Sequence, residues 1–153
     1  MLKYEIVDNN KPEWVVFVHG IGGSTKTWNR QIEAFSENYN LLLLDLPGHG
    51  SNSSKIIYKV DVNRLNKGIC ETMDHLHIES AHFVGLSLGT IVVAQFAIQY
   101  PQYVKKILLV GSAVEVSFLL KAVAVVLYTL RKKLPYKQLC HIAVFAVEPS
   151  NEN

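Results

Sequence analysis

Cysteine is scarce in this 153-residue sequence: Cys70 and Cys140 are the only two, and they match neither a metal-binding nor a redox spacing. That excludes a disulfide-stapled scaffold and a cysteine-rich metal module. The opening residues, Met1-Leu2-Lys3-Tyr4-Glu5, lack the apolar core of a secretory signal. Isolated thiols without an export signal point to the cytoplasm. Long hydrophobic runs are also wanting. Residues 114–130 are almost wholly apolar, but the stretch is short for a bilayer and contains Glu115 and Lys121, so no membrane span is expected. Charged residues are 18% of the chain and the net charge is +2, a balance that does not suggest nucleic acid as a partner. Internal repeats and low-complexity segments are absent. No cofactor or metal is called for.

What is present is enough apolar material, 49% of residues, to build the core of one domain. The charge is uneven: residues 1–103 carry eight Lys/Arg against ten Asp/Glu, whereas residues 104–153 carry seven against three. Residues 2–7 read as a strand, and Asn9-Asn10-Lys11-Pro12 as a turn. Residues 14–18, 41–44, 81–86 and 106–110 are runs apolar at nearly every position, the pattern of strands buried on both faces of a parallel sheet. Between them lie helical patterns. Ser24 caps one that runs to about Glu37 with Trp28, Ile32 and Phe35 on one side. Asp61 caps a second that carries Val62, Leu65, Ile69, Met73 and Leu76 at helical spacing. A third occupies residues 88–100 and stops at Pro101. Alternating strands and helices predict an α/β fold, a three-layer sandwich around a mostly parallel sheet.

In such sheets ligands bind beyond the carboxyl ends of the strands. His19, Asp45 and Ser87 all stand at or just past such ends. Ser87 is the centre of Gly85-Leu86-Ser87-Leu88-Gly89, a Gly-x-Ser-x-Gly pentapeptide at a strand-to-helix junction. There the glycines let strand and helix crowd together, the serine hydroxyl is lifted from the sheet, and the Leu88 N–H faces a developing oxyanion. The positive end of the following helix favours the same charge. His19-Gly20-Ile21-Gly22-Gly23 follows another buried run and can present the Ile21 N–H to that oxyanion. Other readings of this loop are a plain flexible connection or a phosphate cradle. The dinucleotide pattern Gly-x-Gly-x-x-Gly fails at Thr25, however, and the Gly-Lys-Ser/Thr ending of a P-loop is missing.

With Trp28, Asp45-Leu46-Pro47-Gly48-His49-Gly50-Ser51, and the Ala97, Tyr100, Pro101 helix end, these motifs give residues 1–112 a sequence that resembles the α/β-hydrolase superfamily. The likeness is to its small esterase and lipase-like branch. The resemblance implies a serine hydrolase for a small acyl substrate, with Ser87 as nucleophile, Ile21 and Leu88 as oxyanion donors, and His19, Gly20, Gly22, Gly85 and Gly89 shaping the site. It also implies that a carboxylate and then a histidine follow the serine in the chain. No aspartate follows Ser87, and Glu115 with His141 is the only pair in that order. His141 sits in the apolar stretch Cys140-His141-Ile142-Ala143-Val144-Phe145, where a packed core or interface histidine is the simpler reading. The family pattern calls for further strand–helix units, so the sequence reads as a hydrolase core shortened after its sixth strand. An inactive scaffold that binds a ligand or partner is the alternative function.

The expected organisation is a hydrolase-core portion over residues 1–112, an apolar lid-like helical segment over 113–146, and a polar tail over 147–153. A second copy of the chain could cover the strand at 106–110, which would otherwise be an exposed edge.

Overall fold

The structure, a computed structural model, describes residues 1–52, 61–112 and 129. The chain divides into two compact units, Met1–Ser112 and Ala113–Asn153, and the fold described here is that of the first. Five strands, β1 (Lys3–Val7), β2 (Trp14–Val18), β3 (Asn40–Asp45), β4 (Ala81–Leu86) and β5 (Val104–Val110), form one sheet in the order β1-β3-β2-β4-β5. β1 runs antiparallel to β3, and all other pairings are parallel. The three helices are α1 (Asn29–Ser36), α2 (Val62–His75) and α3 (Leu88–Gln99).

The period-two geometry of a strand divides the apolar runs between two layers. Val15 and Phe17 of β2, Leu41 and Leu43 of β3 and Val84 of β4 pack with Trp28, Ile32 and Phe35 on the α1 side. Val16, Val18, Leu42, Leu44 and Phe83 pack on the other side against Leu65, Ile69 and Met73 of α2 and Val92, Val93 and Phe96 of α3. The result is a three-layer α/β sandwich, and it explains why the central runs have no polar face.

Local signals behave as their chemistry requires. Ser24 is extended and its hydroxyl accepts from Lys26 N–H, opening a short 3₁₀ turn (Thr25–Trp28) that leads into α1. Asp61 caps α2 by accepting from Arg64 N–H at 3.2 Å. Pro101 ends the α3 segment by starting a 3₁₀ turn.

Residues 106–110 carry two expectations, a run buried on both faces and an exposed sheet edge, and the second holds. The run at 106–110 has the composition of a buried strand, yet every β5 residue from Lys105 to Val110 is exposed, Leu108 at 52%. Among the described residues β5 lies last in the sheet order and pairs only with β4. An edge strand lacks a neighbour on one side, whatever its side chains.

Candidate active site

The sheet order creates the site. After β2 the chain moves outward to β3, then returns to place β4 on the other flank of β2. The loops leaving β2 and β4 therefore diverge from adjacent parallel strands at a topological switch point, where open α/β sheets form a crevice. His19–Gly23 leaves the first of these strands and Ser87 leaves the second.

Ser87 occupies φ 51°, ψ −114° between β4 and α3, a backbone region costly for any residue with a Cβ. Its surroundings hold it there. Ser87 N–H donates to Val110 O at 3.0 Å, and its carbonyl accepts from Thr90 N–H at 2.9 Å and from Thr90 Oγ1 at 2.6 Å. All three engage the Ser87 main chain, and Ser87 itself is exposed. Leu88, as the first residue of α3, has an N–H that the helix leaves without an internal partner.

Glycines make the junction possible. A Cβ on Gly89 would lie 2.1 Å from Val18 O, and one on Gly85 2.5 Å from Gly89 O. Each would strike backbone, so the start of α3 can cross β2 only over bare Cα atoms. A Cβ on Gly20 would lie 3.0 Å from Ser87 Cβ and 3.6 Å from Ser87 Oγ. The loop after β2 therefore rests directly against the serine.

His19 is fully buried, and both of its ring nitrogens are used. Nδ1 faces Gly20 O at 2.7 Å, and Nε2 faces Leu46 N–H at 3.1 Å. A carbonyl can only accept and an amide can only donate, so Nδ1 carries the proton and Nε2 accepts. The ring is neutral and joins the loop after β2 to the loop after β3. Burial is the main cause that pulls its pKa below the ordinary histidine value. His49 nearby pulls the same way, while the Gly20 bond and the Asp45 charge oppose it. His49 stands with its ring centroid 5.2 Å from that of His19, and its Nδ1 donates to Pro47 O at 3.0 Å.

Asp45 is a second tie. One carboxylate oxygen accepts from Thr25 N–H at 2.8 Å, the other from Ser51 N–H and Ser51 Oγ, both at 2.7 Å. Asn52 Nδ2 donates to its main-chain carbonyl at 2.9 Å. Burial alone would raise the Asp45 pKa, but the Ser51 and Thr25 bonds prevail and hold it below the ordinary carboxylate value. Gly50, at φ +50°, is needed because a Cβ there would sit 2.3 Å from the Asp45 carboxylate oxygens. Motif reading reached Asp45 but not this clamp. The signal was the Gly50-Ser51 pair, small and polar, six residues after a buried acid.

The structure thus brings Gly20, Ser87, Gly85, Gly89 and His19 into one cluster, with Ile21, Gly22 and Leu88 in its two loops. Glu115 and His141 lie outside the described residues, as do the segments 113–146 and 147–153 apart from Thr129. Among the described residues, no group of three His, Cys, Asp or Glu side chains could hold a metal ion. No helix among them is long and apolar enough to cross a membrane.

A family model for the alpha/beta hydrolase fold matches residues 13–138. The chain belongs to the α/β-hydrolase fold family. Over 99 residues it is 37% identical to the dihydrolipoyllysine-residue acetyltransferase component of the acetoin cleaving system of Cupriavidus necator, a match covering 65% of this chain and 26% of that protein. It is also 37% identical over 106 residues to a 2-hydroxy-6-oxononadienedioate/2-hydroxy-6-oxononatrienedioate hydrolase of Paraburkholderia phymatum, across 65% of this chain and 36% of the relative. The crystal structure of an α/β-hydrolase enzyme from a Medee basin deep-sea metagenome library aligns with a TM-score of 0.79 at 29% identity. That alignment covers 94% of this α/β-hydrolase-fold chain and 52% of the other. The chain spans 26% and 36% of the two curated relatives.

Proposed function

We propose that this chain carries the nucleophile and oxyanion side of a serine hydrolase acting on a small carboxylic ester or related acyl substrate. The observation that carries the reading is Ser87, exposed at positive φ at the head of α3, with Gly20 packed against its side chain. Strained backbone of this kind persists where surrounding structure over-determines it and where function uses it. Family membership and a hydrolase among the relatives support the same chemistry.

In the proposed reaction Ser87 Oγ attacks the substrate carbonyl carbon while its proton passes to a base. The oxyanion gathers N–H bonds from Ile21 and Leu88. The alcohol departs with the proton, and water then cleaves the acyl-enzyme to release the acid. His19 is unfit as the base, because its one proton-accepting nitrogen is engaged by Leu46 N–H. Glu115 and His141 are the pair in this sequence with the required chain order. The second reading, a scaffold that binds without turnover, draws on the same fact: no described histidine hydrogen-bonds Ser87.

A fluorophosphonate probe and a short-chain chromogenic ester, applied to the wild type and to Ser87→Ala, decide between them. Labelling and turnover that vanish in the variant establish the hydrolase. Folded wild-type protein that shows neither sinks it in favour of the scaffold.

A further inference from the structure

His19 does more than fill the core. We propose that its Nδ1–H is the group that aims the Ile21 N–H, making His19 a positioning residue for the oxyanion site. The inference rests on the hydrolase reading for its consequence, but not for its geometry.

The Gly20–Ile21 link is a trans peptide, because no cis bond occurs among the described residues, and in a trans peptide the C=O and N–H point in opposite directions. Whatever holds the Gly20 oxygen therefore sets the Ile21 hydrogen. Two donors hold it: His19 Nδ1 at 2.7 Å and Gly23 N–H at 3.1 Å. The Ile21 N–H is therefore turned away from both donors. Gly23 must be glycine for this closure, since a Cβ there would lie 3.1 Å from His19 Nδ1 and 2.9 Å from Thr27 Oγ1. Glycine-rich loops are otherwise free to flip such a peptide.

The imidazole is itself aimed. Leu46 N–H, fixed by its place after β3, occupies Nε2 and so leaves the proton on Nδ1. The charged or titratable groups facing the ring are His49 and Asp45. A second proton on His19 would set Nε2–H against Leu46 N–H, two donors without an acceptor, and release the bridge.

Two variants separate aiming from mere packing. In His19→Asn the side-chain amide nitrogen takes the place of Nδ1, keeping the Gly20 bond and losing the Leu46 bond. In His19→Gln the side-chain oxygen takes the place of Nε2, keeping the Leu46 bond and losing the Gly20 bond. Each is read by the Ile21 N–H residual dipolar coupling and by the fluorophosphonate labelling rate of Ser87. We expect the coupling to stay at its wild-type value in His19→Asn and to change in His19→Gln. Labelling should fall about tenfold to hundredfold in the latter only, a loss on the scale of a weakened oxyanion donor. Equal effects in the two variants, or no change in either coupling, overturn the proposal. If wild type does not label, the hydrolase reading fails alone, and the coupling still decides the aiming. Should both variants fail to fold, the imidazole nitrogen shifts of wild type decide: a proton on Nε2 instead of Nδ1 overturns the proposal.

Discussion

β3 and β5 are built from nearly the same side chains and have opposite fates. Leu41-Leu42-Leu43-Leu44 is buried to 1% or less at every position, whereas Ile107-Leu108-Leu109-Val110 is 37% to 52% exposed. Both are continuous aliphatic runs in one sheet, so propensity does not separate them. Sheet order does: β3 is flanked by β1 and β2 and covered by helices on both faces, while β5 has one strand neighbour among the described residues. The loops that carry His19 and Ser87 leave the enclosed strands β2 and β4.

The harshest way to break the enclosed region is Gly89→Ala. Its new Cβ would stand 2.1 Å from Val18 O, and neither backbone segment can retreat without opening the β2–β4 centre. Loss of cooperative folding, or destabilisation above about 4 kcal/mol, is expected in urea denaturation. Next comes the matched pair Leu43→Ala and Leu108→Ala. The first leaves a cavity between sheet and α1 and should cost about 2–5 kcal/mol. The second removes a half-solvated side chain and should cost below about 1 kcal/mol. Similar losses at the two sites would show that β5 is covered in solution, for instance by a second copy of the chain, and sedimentation would then report a dimer.

This contrast also marks what could be read from the sequence. Ser24, Asp61 and Pro101 announce helix ends because caps and breaks act over a few residues. Gly85, Ser87 and Gly89 are legible for the same reason, since one tight turn imposes all three. The exposure of β5 was not legible in its own composition, because the alternation rule describes a strand's two faces and says nothing of whether a further strand lies beside it; it was expected only from the further strand–helix units that the family pattern calls for. Nor was the bonding of His19. The residue pairs with Leu46, 27 positions away, and that contact exists only once β2 and β3 lie side by side.

A smaller and opposite effect is expected at Ser87. Ser87→Gly should stabilise the protein by about 1 kcal/mol, because glycine accepts φ 51° without the Cβ penalty. Ser87→Ala keeps the Cβ and should not. Both variants remove the hydroxyl and should abolish phosphonate labelling equally. A Ser87→Gly protein no more stable than Ser87→Ala would mean that the β4–α3 junction carries no strain, and the main support for a functional serine would go with it.

Acid should loosen the enclosed loops in two stages. The folded pKa of His19 lies below its ordinary 6.5, so the folded state refuses a proton that the unfolded chain takes up. Its contribution is complete above pH 6.5 and declines as pH falls from there toward the folded value. Asp45 is depressed below 3.8, so its contribution is present above that value and is lost further down, as pH falls through the folded pKa. The first decline should be flatter in His19→Gln, whose side chain accepts from Leu46 N–H at any pH. The residue to watch is Leu46, since its amide protection factor should fall in wild type on acidification while that of Val84 in β4 holds. If the two amides lose protection together, His19 is part of the global fold rather than a local bolt, and the loops it joins have no stability of their own to lose.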